Sequence, residues 1–379
     1  MGKIVRYTVL ASVVIGLLSG CNLQGTNDKG NIEELEVSQE SQKGSIKETD
    51  TELEVSKHEV VLEIPYNNSV DLTRTFTISV MGDCTLGTDL NYGYDGSFMA
   101  MAEVQDSSYF FQKVKPFLEQ DDLTLINLEG PLTDSVNTKE KRFAFRGELS
   151  YVDILTEGSV EAVNYANNHS YDQGIEGLDD TKQVLQDAGV TGSGYEDTPV
   201  VEVNGVAVGL VGIYALVECT EAQVAERIQQ VKEAGAEVII VSFHWGIERE
   251  ARPNAKQESL AKAAIDAGAD LVVGTHPHVL QGIEKYKDRY ILYSLGNFCF
   301  GGNRNPADKD TIIYQQTFTV DSRGELKTDD NIEIIPCSIS SIGGRNNFQP
   351  MPLEGSEKER VASKLQERSM IDIQPFIIP

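Results

Sequence analysis

The chain has 379 residues, 40% of them hydrophobic and 24% charged, enough apolar material for one large folded body or two smaller ones. Lys and Arg total 32 against 59 Asp and Glu, a formal net charge of −27, which excludes a nucleic-acid binder because no basic footprint is left for phosphates. Five cysteines do not make a disulfide scaffold, and a single apolar run excludes a protein of many membrane spans.

That run comes first in the chain. Lys3 and Arg6 supply a short positive region, residues 7–18 are mostly apolar, and Leu18-Ser19-Gly20-Cys21 follows. The run suits a signal peptide and is short for a span of about 20 residues. Small residues directly before a cysteine resemble the lipobox of bacterial lipoproteins, in which Cys21 would be acylated and become the first mature residue. An uncleaved signal anchor is the alternative, and either one places the body outside the cytoplasm. Residues 21–57 are rich in Glu, Ser, Gln, Lys and Thr with only scattered apolar positions. They read as a disordered acidic tether.

From about residue 58 the pattern becomes that of a folded domain. Phe76, Ile78 and Val80 alternate with polar neighbours, predicting a half-buried strand. Further strands are predicted at 123–128, 160–166, 206–213, 238–243 and 271–273, and the last two read as covered on both faces. Helical stripes separate them: Leu178, Thr181, Leu185 and Ala188, then Val224, Ile228 and Val231. Gly189, Gly235 and Gly268 each follow a helical stretch and precede a strand, as left-handed helix caps do. Residues 281–335 read as hairpins with a turn at 321–324. The whole is an α/β domain.

Chemistry gathers where the predicted strands end. The first runs into Gly82-Asp83 and the second into Asn127-Leu128-Glu129. The third precedes Asn167-Asn168-His169, and the later ones run into His244-Trp245-Gly246 and Gly274-Thr275-His276-Pro277-His278. The carboxyl edge of an α/β sheet is where ligands bind. Of the 5 histidines, only His58 lies outside these motifs. Asp83, Glu129, Asn168, His244, His276 and His278 offer mixed nitrogen and oxygen donors, which suit Mn, Zn or Fe. The set is too large for one closed tetrahedral site, so two divalent ions sharing a carboxylate are predicted.

Together with Ser294-Leu295-Gly296-Asn297-Phe298, these motifs resemble the poly-γ-glutamate capsule biosynthesis (CapA-type) family, a branch of the calcineurin-like metallophosphoesterase superfamily. The resemblance covers about residues 74–340 and is longest between His244 and Glu284. It implies a four-layer α/β/β/α sandwich with mixed sheets. It also implies one metal on Asp83, Glu129 and His278, and a second on Glu129, Asn168, His244 and His276. His169 would donate a proton to a leaving group, and Asn297 would meet substrate. Phosphoesterases of the superfamily usually carry Asp-x-His in the first motif. Here it is Asp83-Cys84-Thr85, so one ligand of the first site is absent, and Glu129 stands where Asp is usual.

An anionic substrate would need local cations in so acidic a protein. Arg146, Arg249, Arg252 and Arg304 are candidates by proximity to the motifs, with Arg146 the first choice as a clamp. Cys84 reads as small buried filler rather than a soft ligand, and no pairing among Cys84, Cys219, Cys299 and Cys337 follows from spacing. The expected protein is lipid-anchored on the extracytoplasmic face of the cell membrane. By resemblance it makes or exports a capsule polymer as a metal-dependent hydrolase or transferase, in company with other synthesis proteins. A non-catalytic member of such a complex and a secreted phosphodiesterase are the alternatives.

Overall fold

The computed structural model describes residues 73–327 and 330–378. The signal peptide, Cys21, the tether, His58 and the start of the domain before residue 73 lie outside the described residues.

In chain order the strands begin with β1 (Arg74–Thr85), β2 (Thr88–Asp89), β3 (Leu123–Leu128), β4 (Phe145–Arg146), β5 (Ala162–Asn164) and β6 (Thr191–Ser193). β7 (Val200–Val203), β8 (Val206–Tyr214), β9 (Val238–His244), β10 (Leu271–Thr275), β11 (Ile283–Tyr286) and β12 (Arg289–Leu292) follow. The last are β13 (Asn297–Phe300), β14 (Asp310–Val320), β15 (Ile332–Ser338) and β16 (Met351–Pro352). One sheet runs β16-β15-β14-β1-β3-β5-β6, with β13 also pairing β1. The other runs β11-β12-β10-β9-β8-β7, and β2 pairs β4 in a small ribbon. Both large sheets are mixed: β1 is antiparallel to β14 but parallel to β3, and β10 is parallel to β9 while β11 is antiparallel to β12.

Side-chain alternation decides what each sheet packs against. On β9, Val238 and Ile240 join Ile78, Val80, Leu125 and Leu210 in a core between the sheets. Ile239, Val241 and Phe243 point the other way, into a core with Val224, Ile228, Val231 and Leu260 of two helices. The outer face of the first sheet is covered by Phe110, Phe111, Leu118, Ile154, Leu178 and Leu185. Helix, sheet, sheet and helix thus form four layers, an α/β/β/α sandwich with mixed sheets. Each fully buried aliphatic side chain in these layers contributes roughly 1.5–3 kcal/mol of transfer free energy. β1 was expected to be half-buried, but from Ile78 onward both of its faces are buried, because a sheet lies on one side and helices on the other.

The helices are bounded as their end residues require. Thr220 and Asn254 each accept from the backbone N–H three residues on, and Gln223 and Gln257 return the bond, a capping box at both starts. Gly268 closes the second helix at φ +110°, and Gly189 and Gly235 also have positive φ.

Two features of the sheets aim side chains at one place. The register of β1 against β3 shifts between Val80 and Asp83, a local irregularity that re-aims the strand end. Gly82 sits at that shift, where a Cβ would lie 1.9 Å from the carbonyl oxygen of Gly296, so no other residue fits. The carboxyl ends of β1, β3, β5, β9 and β10 then lie along one edge of the sandwich.

Candidate metal centre

Asp83 lies near the end of β1, fully buried. Its Oδ1 accepts from Asn127 Nδ2 at 2.8 Å and its Oδ2 from the backbone N–H of His276 at 3.1 Å. His278 Nδ1 lies 3.3 Å from the same Oδ2 and 2.8 Å from Asn297 Oδ1. Glu129, just past β3, is also fully buried, and Thr85 donates its hydroxyl to Oε2 at 3.4 Å. The other oxygen, Oε1, has no hydrogen-bond partner. It lies 3.7 Å from Nε2 of His244, 3.7 Å from Nε2 of His278 and 4.0 Å from Nε2 of His169. A buried carboxylate oxygen facing three imidazoles without a bond calls for an explanation.

Two groups of donors meet there. Glu129, His244 and His276 place one ligand atom each within 4.8 Å of one another, and so do Asp83, Glu129 and His278. Glu129 belongs to both. Asn168 joins the first group, its Oδ1 2.7 Å from His244 Nε2. His276 Nδ1 is the second orphan, buried without a partner. His276 and His278 also carry positive φ, +95° and +58°, a strained pair flanking Pro277. Strain of this kind costs on the order of 1–3 kcal/mol per residue and concentrates at functional sites. Orphaned donors, mixed imidazole and carboxylate chemistry and a shared acid are a set that could hold a divalent metal ion.

The charges distinguish the histidines of the two groups. Burial pushes the Glu129 carboxyl up, although His278 opposes the rise. Burial disfavours a charged His278, but Glu129 and Asp83 outweigh it and raise the imidazole, which carries the positive charge between the two acids. Burial lowers His244 well below the usual histidine range and takes His276 down to about 4, with the neighbouring histidines adding to both falls. Neutral imidazoles are what metal ligation requires.

His169 stands at the rim. Its ring stacks on Phe145 with centroids 4.0 Å apart, and Nδ1 lies 2.7 Å from Asp172 Oδ2. Burial lowers its pKa against the opposing pull of Asp172.

The structure thus brings together Asp83, Glu129, Asn168, His169, His244, His276, His278 and Asn297. The arginines behave differently. Arg146 lies in β4, half-buried, and aims its guanidinium at the carbonyl of Ser135 at 3.5 Å rather than at the donors. Arg249 donates its backbone N–H to Pro277 at 2.8 Å, which holds it beside the histidine pair, while its side chain is exposed. Arg252 instead donates to the carbonyls of Glu367 and Arg368, and Arg304 to that of Gly93. Cys84 is buried in the helix-facing core with its thiol raised by burial, and Cys84, Cys219, Cys299 and Cys337 are all free.

Other residues of the site had not been singled out. Asn127, next to the last residue of β3, donates to Asp83 and lies 3.3 Å from His244 Nδ1, and its Oδ1 accepts from Asn164 at 3.2 Å and Asn167 at 3.4 Å. This amide relay fixes the acids and imidazoles that surround the unbonded Glu129 oxygen. The signal was present: Asn127 is a carboxamide within an otherwise apolar strand core. Glu248 is exposed and close enough for its charge to act on Glu129, His276 and His278.

The sequence profile of the bacterial capsule synthesis protein PGA_cap matches residues 77–302, more than half of the chain and every donor named above. This chain belongs to the PGA_cap family. It is 31% identical to the capsule biosynthesis protein CapA of Bacillus anthracis, over 69% of this chain and 67% of that one. It is 31% identical to the PGA biosynthesis protein CapA of Bacillus subtilis (strain 168), over 63% of this chain and 69% of that one. A protein of Mycobacterium tuberculosis (strain CDC 1551 / Oshkosh), named a probable polyglutamine synthesis accessory protein, is 26% identical over 58% of this chain and 67% of its own length. The shared PGA_cap region ends at residue 302, so β14, β15 and β16, which complete the first sheet, lie beyond it.

Proposed function

We propose that this PGA_cap protein works in capsule or surface-polymer synthesis or export as a divalent-metal hydrolase or transferase acting on an anionic substrate. The observation that carries the proposal is Glu129 Oε1, buried, unbonded and common to two donor triads. Ions held there would supply a lowered pKa for bound water and charge to offset phosphoryl or carboxylate oxygens. The protein's own groups do the rest. Asp83, Glu129 and His278 hold one position, and Glu129, Asn168, His244 and His276 the other. Asn297 keeps His278 turned inward, and His169 handles a proton at the rim. Arg249, exposed beside the histidine pair, meets an arriving anion. A poly-γ-glutamate-like polymer is the first candidate substrate, and a phosphodiester the second.

The proposed location is the extracytoplasmic face of the membrane, through lipid on Cys21 and the acidic tether of residues 21–57. Cys21→Ser should release the protein from membranes or leave it unprocessed. A variant still cleaved and membrane-bound rejects lipidation.

A second reading makes the protein a non-catalytic member of a synthesis complex. It draws on Thr85, which occupies the place of a usual ligand and bonds Glu129 instead, and on the word "accessory" in the name of the Mycobacterium relative. His169→Ala in a polymer-producing strain separates the two. Lost polymer with fold and metal retained supports catalysis, whereas unchanged polymer supports the scaffold. Turnover of a chromogenic phosphodiester by the purified full chain with Mn tests the phosphoryl reading.

A further inference from the structure

We propose that Asp89 anchors a cation site of its own, an all-oxygen site of the calcium type in the loop of residues 89–96. Six carboxylates are buried among the described residues. Asp83, Glu129, Asp172, Asp310 and Asp321 each have a Lys, Arg or His nitrogen within 3.7 Å. Asp89, 2% exposed, has no such partner among the described residues. Its Oδ2 is buried without a hydrogen bond, a condition shared only with Glu129 Oε1 and His276 Nδ1 among the described side chains. Asp89 belongs to neither of the two donor triads. A buried carboxylate left without an opposite charge is costly, and a bound cation removes that cost.

The other oxygen is already in use. Oδ1 accepts from the backbone N–H of Asn91 at 3.0 Å and from that of Ala144 at 3.3 Å, which fixes the carboxylate and leaves Oδ2 bare. The loop reads Asp89-Leu90-Asn91-Tyr92-Gly93-Tyr94-Asp95-Gly96, two carboxylates and an amide with no base. Oxygen side chains at the first and third positions of a glycine-containing loop are how calcium loops begin. Asn91 Nδ2 donates to the carbonyls of Lys141 at 3.3 Å and Arg142 at 3.2 Å. Its Oδ1 therefore remains available, and peptide oxygens of a second loop lie alongside. The nearby bases are committed elsewhere: Lys141 to Asp172, Arg142 to the face of Phe143 at 4.9 Å, and Arg304 to the Gly93 carbonyl.

Carboxylate, amide and peptide oxygens suit a hard cation, unlike the imidazole-rich donors at Glu129. An irregular loop fits the loose coordination of calcium better than the strict octahedron of magnesium. So few charged ligands place the affinity at about 0.1–1 mM. Asp89 pairs with Phe145 across the β2–β4 ribbon, and Phe145 stacks on His169. Calcium at Asp89 would stiffen this ribbon beside the donor cluster without joining the cluster.

The test is calcium titration of the chelator-washed full chain by calorimetry, with terbium luminescence sensitised by Tyr92 and Tyr94 as a second readout. Wild type and Glu129→Gln, which disrupts both donor triads, should each bind one calcium with equal affinity, and calcium should displace terbium. Asp89→Asn should bind calcium more weakly by about 10-fold or more and lose the terbium signal. In chelator this variant should melt no lower than wild type, because a buried unpaired charge is gone. In about 10 mM calcium wild type should melt higher than in chelator, by roughly 2–4 °C. Wild type that binds no calcium up to about 10 mM overturns the proposal. So does an Asp89→Asn variant that binds like wild type, or a Glu129→Gln variant that binds none. If Asp89→Asn does not fold, Asn91→Ala decides at an exposed side chain: affinity reduced by about 3-fold or more supports the site, and unchanged affinity overturns it. No readout depends on turnover, so the outcome is separate from that of the hydrolytic reading.

Discussion

Asn168 Oδ1 lies 2.7 Å from His244 Nε2, across a sequence separation of 76 residues. On the far side of the ring, Nδ1 is 3.1 Å from Thr275 Oγ1, whose own hydrogen goes to the Phe243 carbonyl at 3.1 Å. In the tautomer whose Nδ1 donates to Thr275, Nε2 is a bare lone pair facing the amide oxygen and the unbonded Glu129 Oε1. Three acceptors in contact are stable around a cation and repulsive without one. Asn168→Ala and His244→Ala should therefore each retain one divalent ion fewer per chain than wild type, with unchanged circular dichroism. Elemental analysis of the purified variants reads the loss directly.

Glu129→Gln keeps the shape of the shared ligand and removes its charge. Metal-free, the variant should be at least as stable as wild type, because burial works against the Glu129 carboxylate. Adding Mn should raise the melting temperature of wild type, since a ligand at 100 times its Kd stabilises by about 2.7 kcal/mol, and should leave the variant nearly unmoved. Thermal scans with and without Mn check both halves.

Much of this arrangement was legible from residue patterns. The stripe Val224, Ile228 and Val231 is buried as its spacing required, and the near-continuous apolar run of 238–243 is covered on both faces. The donor cluster was legible because imidazole and carboxylate side chains are chemically distinctive and fall where strands end. Arg252 and Arg304 were misplaced because a long side chain near a motif in sequence can reach away from it, here to backbone carbonyls. Asp172 was missed for a different reason. It meets His169 within one turn and Lys141 from a separate loop, a contact that no local period encodes.

The inter-sheet core predicts its own sensitivity. Ile240 is fully buried between the sheets among Val80, Leu125 and Leu210. Ile240→Ala should cost about 3 kcal/mol through lost transfer energy and an unfilled cavity. Denaturant unfolding should show a lower midpoint at unchanged slope.

Asp121 predicts a pH dependence remote from the metal centre. Burial raises its carboxyl to about 7, against the opposing bonds from Ser79 and Thr124. The folded chain therefore binds a proton that the unfolded chain has released between about pH 4 and 7, so this group's stabilisation is full below that window and fades as pH rises through it. Asp121→Asn should remove the decline and gain on the order of 1 kcal/mol at pH 8, a figure reduced for partial solvent screening. Melting curves from pH 5 to 8 for both proteins check it.

The most direct measurement is an anomalous difference map from crystals of the protein soaked in Mn. Two peaks are expected on either side of Glu129, one about 2.2 Å from the donors of His244, His276 and Asn168, the other equally close to Asp83 and His278. A well-ordered soaked crystal with no anomalous peak at Glu129 would contradict the account.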